Sequence, residues 1–372
     1  MNQVEMAAGQ ETAPPPGGEA RNREIYGIQM LRALAAVAVV SHHALEQSNG
    51  ASGRFSPDWL TTSGASGVDI FFAISGFIML HVSFRSPSRP TLPGSFLFRR
   101  FTRIYPLYWL CCALMLLVSA VGFLKSHSWT GQEILASVLL LPEDNELIGV
   151  SWTLVYEVYF YLIFASFLMF RSIKMAVIGT TIVITTFVVI GNAMFAGSVR
   201  DFFANPIPLE FCMGLWLAWA FTRFNKTGRW PVHVAAATVG LCLLAVAPLF
   251  VAHPTTSGLP GLARVFAWGI PAILIVAAFL KIGPPKNRLT RFLMLLGDAS
   301  YALYLTHVFV MIMYGRLLKT EMVAHYDQIA VVPLVIAGSI AIGLAAHLMV
   351  EKPLLGLIRR ITGRQPGHIS PG

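Results

Sequence analysis

Residues 30–47, MLRALAAVAVVSHHALEQ, are apolar except for an arginine near the start and a short polar end that opens with two adjacent histidines. Arg32 and His43 lie eleven positions apart. On an α-helix that spacing is just over three turns, about 20° around the axis and about 16 Å along it. The two share a face, whereas His42 projects about 80° away from Arg32. Carboxylates recur in other apolar runs: Asp69 in GVDIFFAISGFIM, Glu157 in SWTLVYEVYFYL and Glu210 in PIPLEFCMG. A histidine beside a carboxylate suits acyl transfer to an alcohol, because the imidazole takes the hydroxyl proton while the carboxylate orients the ring. Arg100 and Arg103, in RRFTRIYP, fall on one face of a further helix. Structural roles are also open to these groups: Arg32 can snorkel to headgroups, and Asp69 and Glu157 can clamp helices together.

The elements that must position these residues are membrane helices. Of the 372 residues, 55% are hydrophobic and 12% charged, a balance that excludes a soluble domain with a polar surface. Ten apolar runs have the length needed to span about 30 Å of hydrocarbon: 28–45, 67–84, 104–124, 152–170, 175–196, 207–224, 232–252, 263–280, 299–318 and 329–350. The expected fold is therefore an all-α polytopic bundle of about ten transmembrane helices. Placing the N-terminus in the cytoplasm puts twenty Lys and Arg residues on inner segments and six on outer ones. The positive-inside rule thus predicts both termini cytoplasmic. The net charge of +9 then reflects topology and anionic headgroups, with no nucleic-acid partner. Residues 1–24 read as a disordered cytoplasmic tail, 25–360 as one transmembrane unit and 361–372 as a C-terminal tail. Cys111, Cys112, Cys212 and Cys242 lack paired ligand spacing and read as buried small hydrophobes, so no metal is expected.

With that topology, His43, Asp69, Glu157 and Glu210 belong to the outer half and Arg32, Arg100 and Arg103 to an inner cationic mouth. This polarity suits a long donor with a polyanionic head in the cytoplasm and a reactive end carried outward. Coenzyme A fits: its phosphates suit bidentate arginines, and its pantetheine arm is of the order of the roughly 16 Å between Arg32 and His43. Tyr301, Tyr304 and His307 drift around one broad helix face, and His307 alone reads as a satisfied core histidine. Trp152 reads first as an interfacial anchor. Glu351, beside Lys352 and Pro353, is expected to end the last helix and pair with the arginine mouth.

The chain resembles the acyltransferase-3 family of bacterial membrane O-acyltransferases across residues 28–360. LRALAAVAVVSHHA is similar to the family's opening helix, in which an arginine is followed after ten residues by the functional histidine, here His43. GVDIFFAISGFIM, RRFTRIYPLYW, SWTLVYEVYFYL, GDASYALYLTHVFV and VEKPL resemble five further motifs in order. The resemblance implies acyl transfer from acetyl-CoA, a donor substrate, to a hydroxyl, with His43, Glu157 and Asp69 as the reacting group and Arg32, Arg100 and Arg103 on the donor. It also implies acceptor or pantetheine contact for Trp152, Glu210, Tyr301 and His307. SHHALE and its neighbours look most like the exopolysaccharide branch. The implied partners are a sugar or polysaccharide acceptor, lipid-linked or free, and membrane lipid, at the bacterial inner membrane. His42 stands where the family is commonly apolar or aromatic, which leaves a swap of roles with His43 open. A carrier or flippase whose intramembrane charges line a transport path is the competing class.

Overall fold

The computed structural model describes residues 16–52, 56–86, 90–122, 128–224, 230–250, 259, 261–320 and 328–362. Among them every regular element is helical. The elements are α1 (Pro16–Ser52), α2 (Asp58–Ser63), α3 (Gly67–Ser83), α4 (Pro93–Ala120), α5 (Gly131–Leu139), α6 (Trp152–Leu168) and α7 (Ile173–Met194). They continue as α8 (Gly197–Ala204), α9 (Leu209–Phe224), α10 (Trp230–Phe250), α11 (Gly261–Phe279), α12 (Arg288–Asp298), α13 (Ser300–Leu317) and α14 (Gln328–Ile361). Five-residue π-helical turns interrupt α11 at Val265–Gly269 and α14 at His347–Glu351.

Each apolar run found in the sequence falls on a helix, and the chain is a multi-pass membrane protein. Among the described residues, seven helices are long and apolar enough by length and composition to cross a membrane, and α12 with α13, bent by 75°, would make an eighth if the pair is one span. The runs expected at 152–170 and 207–224 fold as helices of 17 and 16 residues. At about 1.5 Å per residue they reach about 25 Å, short of a full hydrocarbon thickness. α1 starts at Pro16, inside the segment read as a tail; residues 1–15 and 363–372 of the two expected tails lie outside the described residues. Cys242 is exposed, unlike the other three cysteines. Its neighbours Leu241 and Leu243 are exposed with it, so this stretch of α10 faces outward from the bundle.

α1 is the central element. It packs against α3, α12, α13 and α14, so groups along its length meet several neighbours. α3 crosses α9 at close backbone approach in the core. A Cβ on Gly76 would stand 2.0 Å from the Phe211 carbonyl oxygen, and one on Gly214 2.3 Å from that of Ala73. Only glycine lets these backbones meet. Aromatic rings of Phe72, Phe160 and Phe211 fill the space beside this crossing, with Phe160 and Phe211 stacked at 4.6 Å. At one end of the bundle α12 begins with a capping box between Asn287 and Thr290, then turns sharply into α13.

Candidate active site

The polar groups of the core fall into three sets. The first surrounds Arg32 and defines the arginine end of the bundle. Its guanidinium donates to Ser300 Oγ at 2.9 Å and lies within electrostatic reach of Arg103, Glu157, Glu351 and Asp298. Arg100 reaches over the rings of Phe96 and Tyr161 at 5.7 and 5.8 Å. Its Nε is buried with no hydrogen-bond partner among the described residues. Glu157 accepts from Ser75 Oγ at 3.1 Å and from the Tyr161 hydroxyl. Asp298 accepts from the Gln29 side chain, and Glu351 pairs with His347 at 2.7 Å. Three arginines within electrostatic reach of one another, one of them with a buried Nε that has no partner among the described residues, make a cationic cluster suited to an oxyanion.

The second set lies about three turns up α1. His43 Nδ1 stands 3.3 Å from Glu46 Oε2. A proton on Nδ1 is therefore donated to the carboxylate, which leaves Nε2 as the free acceptor, the arrangement a general base needs. His42 is buried and donates through Nδ1 to the Thr61 carbonyl at 2.6 Å, and its Nε2 sits 3.9 Å from Glu46. The His307 ring stacks on that of His43 at 5.4 Å. His307 Nδ1 meets the Leu303 carbonyl at 3.2 Å, while Nε2 is buried without a partner among the described residues. His42, His43 and Glu46 each offer one ligand atom, all within 4.8 Å of one another, so these described residues could also share a divalent ion.

The third set is an ion pair at the core of the membrane domain. Arg264 grips Asp69 through two hydrogen bonds of 2.9 and 2.8 Å. The indoles of Trp268 and Trp152 lie 5.2 and 5.8 Å from the guanidinium. Glu210 is fully buried beside this pair, its carboxyl packed against Gly269 in the π turn of α11. Among the described residues the side chain that Asp69 binds is Arg264, and no histidine is hydrogen-bonded to it.

The structure thus brings Arg32, Arg100 and Arg103 together, and His43 with His307. It assigns different neighbours to the expected carboxylates. Asp69 faces Arg264, and Glu157 faces Ser75, Tyr161 and the arginine end; the carboxylate beside His43 is Glu46. Glu157 sits five residues into α6, about 7 Å past its start, and that depth carries it away from the His43 level. His42 points neither to lipid nor to an empty groove, because Thr61 holds it. Tyr301 donates to the Ile104 carbonyl at 2.7 Å, and Tyr304 shares a bond of 2.8 Å with Thr153, so α13 links α4 and the start of α6 between the two ends. Glu46 and Arg264 were missed as site residues. Glu46 was legible as the i+3 and i+4 neighbour of the histidines, and Arg264 as a lone cation one residue into an apolar run.

An all-helical membrane bundle with a histidine–carboxylate pair at one level and clustered arginines at another has the groups that acyl transfer needs. Residues 25–348 match the acyltransferase domain of the acyltransferase-3 family, and the chain belongs to that family. This answers the choice between enzyme and carrier in favour of the enzyme. The chain is 31% identical over 330 residues to the exopolysaccharide production protein ExoZ of Rhizobium meliloti, covering 82% of this chain and 95% of that protein. It is 29% identical over 390 residues to the acyltransferase MdmB of Streptomyces mycarofaciens, covering 92% and 93%. A third match, protein 2 in the picA locus of Rhizobium radiobacter, is 41% identical over 86 residues, 23% of this chain and 40% of that protein. No solved structure matches the chain.

Proposed function

We propose that this enzyme sits in the bacterial inner membrane with both termini in the cytoplasm and moves an acetyl group from acetyl-CoA to a hydroxyl of a sugar in an exopolysaccharide or another cell-surface glycan. Arg32, Arg100 and Arg103 bind the phosphates of the donor at the cytoplasmic end, and the thioester extends along α1 to His43. His43 Nε2 takes the proton of the acceptor hydroxyl, whose oxygen attacks the thioester carbonyl. The carbon–sulfur bond breaks, and the imidazolium returns the proton to the departing thiolate. Glu46 orients the ring and balances its transient charge. Glu157 fixes Tyr161 against Arg100, and the Asp69–Arg264 pair with Glu210 holds Trp152 and α11 beside the acceptor.

The observation that carries this reading is the placement of Arg32 and His43 on one face of α1, three turns apart, each with the partners its role needs. A sugar acceptor is supported by the similarity to ExoZ, an exopolysaccharide production protein. Purified enzyme should consume radiolabelled acetyl-CoA and transfer the label to a glycoside, and His43→Ala should abolish both. Retention of transfer in a folded His43→Ala variant would remove the mechanism. The chemistry uses a proton and no ion, so dialysis against a chelator should leave the rate unchanged. A chelator-sensitive rate restored by zinc would reassign His42, His43 and Glu46 as metal ligands.

A further inference from the structure

A cleft of about 620 Å³ opens at the histidine end of the bundle, between the last turns of α1 and α13. It is lined by Glu46, Gln47 and Gly50 from α1 and by Gly315, Leu318 and Lys319 from the end of α13. We propose that this cleft is the acceptor subsite and that it takes a polyhydroxylated sugar residue. The assignment rests on the acyl-transfer reading above and adds where the acceptor binds and what chemistry selects it.

Three observations support it. The first is contiguity: Glu46 lines the cleft and also lies 3.3 Å from His43 Nδ1, so a sugar held in the cleft is separated from the His43 ring by one side chain. The second is the lining. A carboxylate, a carboxamide and an ammonium offer acceptors and donors together, which matches hydroxyl groups that both donate and accept, while Leu318 is the one large apolar residue. An alkyl alcohol would call for the opposite balance. The third is that the walls are fixed. Gln328 at the start of α14 accepts from Tyr314 at 2.7 Å and from Ser48 at 3.4 Å, which ties α13 and α1 together just beneath the cleft. Its volume lies within the range of small-ligand sites, about 300–1,000 Å³.

Gly315 controls the width of the cleft. A Cβ there would approach Gln47 Nε2 to 2.5 Å, so any side chain at this position must displace the Gln47 carboxamide from its place in the lining.

The test uses full-length enzyme in nanodiscs with radiolabelled acetyl-CoA and four acceptors: the methyl glycosides of glucose, galactose and mannose, and 1-octanol. At least one glycoside should be acetylated faster than octanol. For that glycoside, Gln47→Ala, Lys319→Ala and Gly315→Leu should each raise acceptor KM by about tenfold, with KM for acetyl-CoA moving less than about twofold. Thermal unfolding of each variant identifies any that fail to fold, and the remaining variants decide the outcome. Preference for octanol, or unchanged acceptor KM in the folded variants, overturns the subsite. Failure to consume acetyl-CoA with every acceptor instead overturns the acyl-transfer reading beneath it.

Discussion

At the scale of single residues, the roles of the two adjacent histidines follow from their partners. His43 has a carboxylate on Nδ1 and an unengaged Nε2, whereas His42 is tied to the Thr61 carbonyl. Loss of a general base costs about 10²- to 10⁴-fold in rate, so His43→Ala should lose transfer while His42→Ala retains a measurable part of it. Glu46→Gln should lower kcat by about 10²-fold or more with little change in acetyl-CoA affinity, and Glu157→Gln should act mainly on donor KM. Steady-state kinetics on matched membranes separates the two carboxylates. At the arginine end the fork matters as much as the charge. Arg32→Lys, Arg100→Lys and Arg103→Lys should each weaken acetyl-CoA binding, as isothermal titration would show; unchanged affinity in all three would end the phosphate assignment. His43 and Arg32 were legible in the sequence because they belong to one helix, whose periodicity fixes their relation. The partner of His43 was sought on other helices, and spacing within one segment says nothing about which neighbour a side chain meets across the bundle. Asp69 and Glu157 both lie in the early turns of their helices and still face different partners for that reason.

At the scale of elements, stability depends on where helices touch. Gly76→Ala would drive a Cβ into the Phe211 carbonyl, and separating α3 from α9 should cost about 1–3 kcal/mol, visible as a lower unfolding temperature in detergent. Arg264→Met leaves Asp69 buried without a partner. A loss of about 3–5 kcal/mol is expected, with Asp69→Leu in the same chain restoring much of it. The loop between α5 and α6 carries its own pH dependence. Burial pushes the Glu146 carboxyl up to about 7, and Asp144 and Glu143 add to the effect. A carboxyl raised in the folded state stabilises fully below its ordinary value near 4.5, and that contribution is lost as pH rises through about 7. Hydrogen-exchange protection across 142–151, measured relative to the intrinsic rate at each pH, should fall between those limits, and Glu146→Gln should flatten the change.

At the scale of the whole molecule, helix content and the position of every apolar run were legible, because a run of apolar residues in lipid has to satisfy its backbone internally. Helix length was harder to read. Hydropathy marks 152–170 and 207–224 as full-length apolar runs, whereas α6 and α9 close after 17 and 16 residues because an end of each run goes into a turn. Hydropathy does not register the 75° break between α12 and α13 either. The proposed route, with donor and acceptor at opposite ends, makes a directional prediction. Sealed inside-out vesicles given acetyl-CoA on their exposed cytoplasmic face should acetylate a glycoside trapped in the lumen. Equal modification of a glycoside confined to the cytoplasmic face would contradict it.

The two π turns have a genetic meaning. A π turn accommodates one residue more than the α-helix around it, so each is a place where the reading frame of side chains is offset by a single codon. Arg264 immediately precedes one turn and Glu351 closes the other. Removing one codon within 265–269 would let α11 close into an uninterrupted α-helix while both flanks keep their register, because the wider turn had absorbed the extra residue. The change would fall on the side chains inside the turn, where Trp268 packs on Arg264 and Gly269 on Glu210. Length variation at these two points, rather than substitution, is therefore the kind of change that would repack the surroundings of a buried charge without sliding one helix along another.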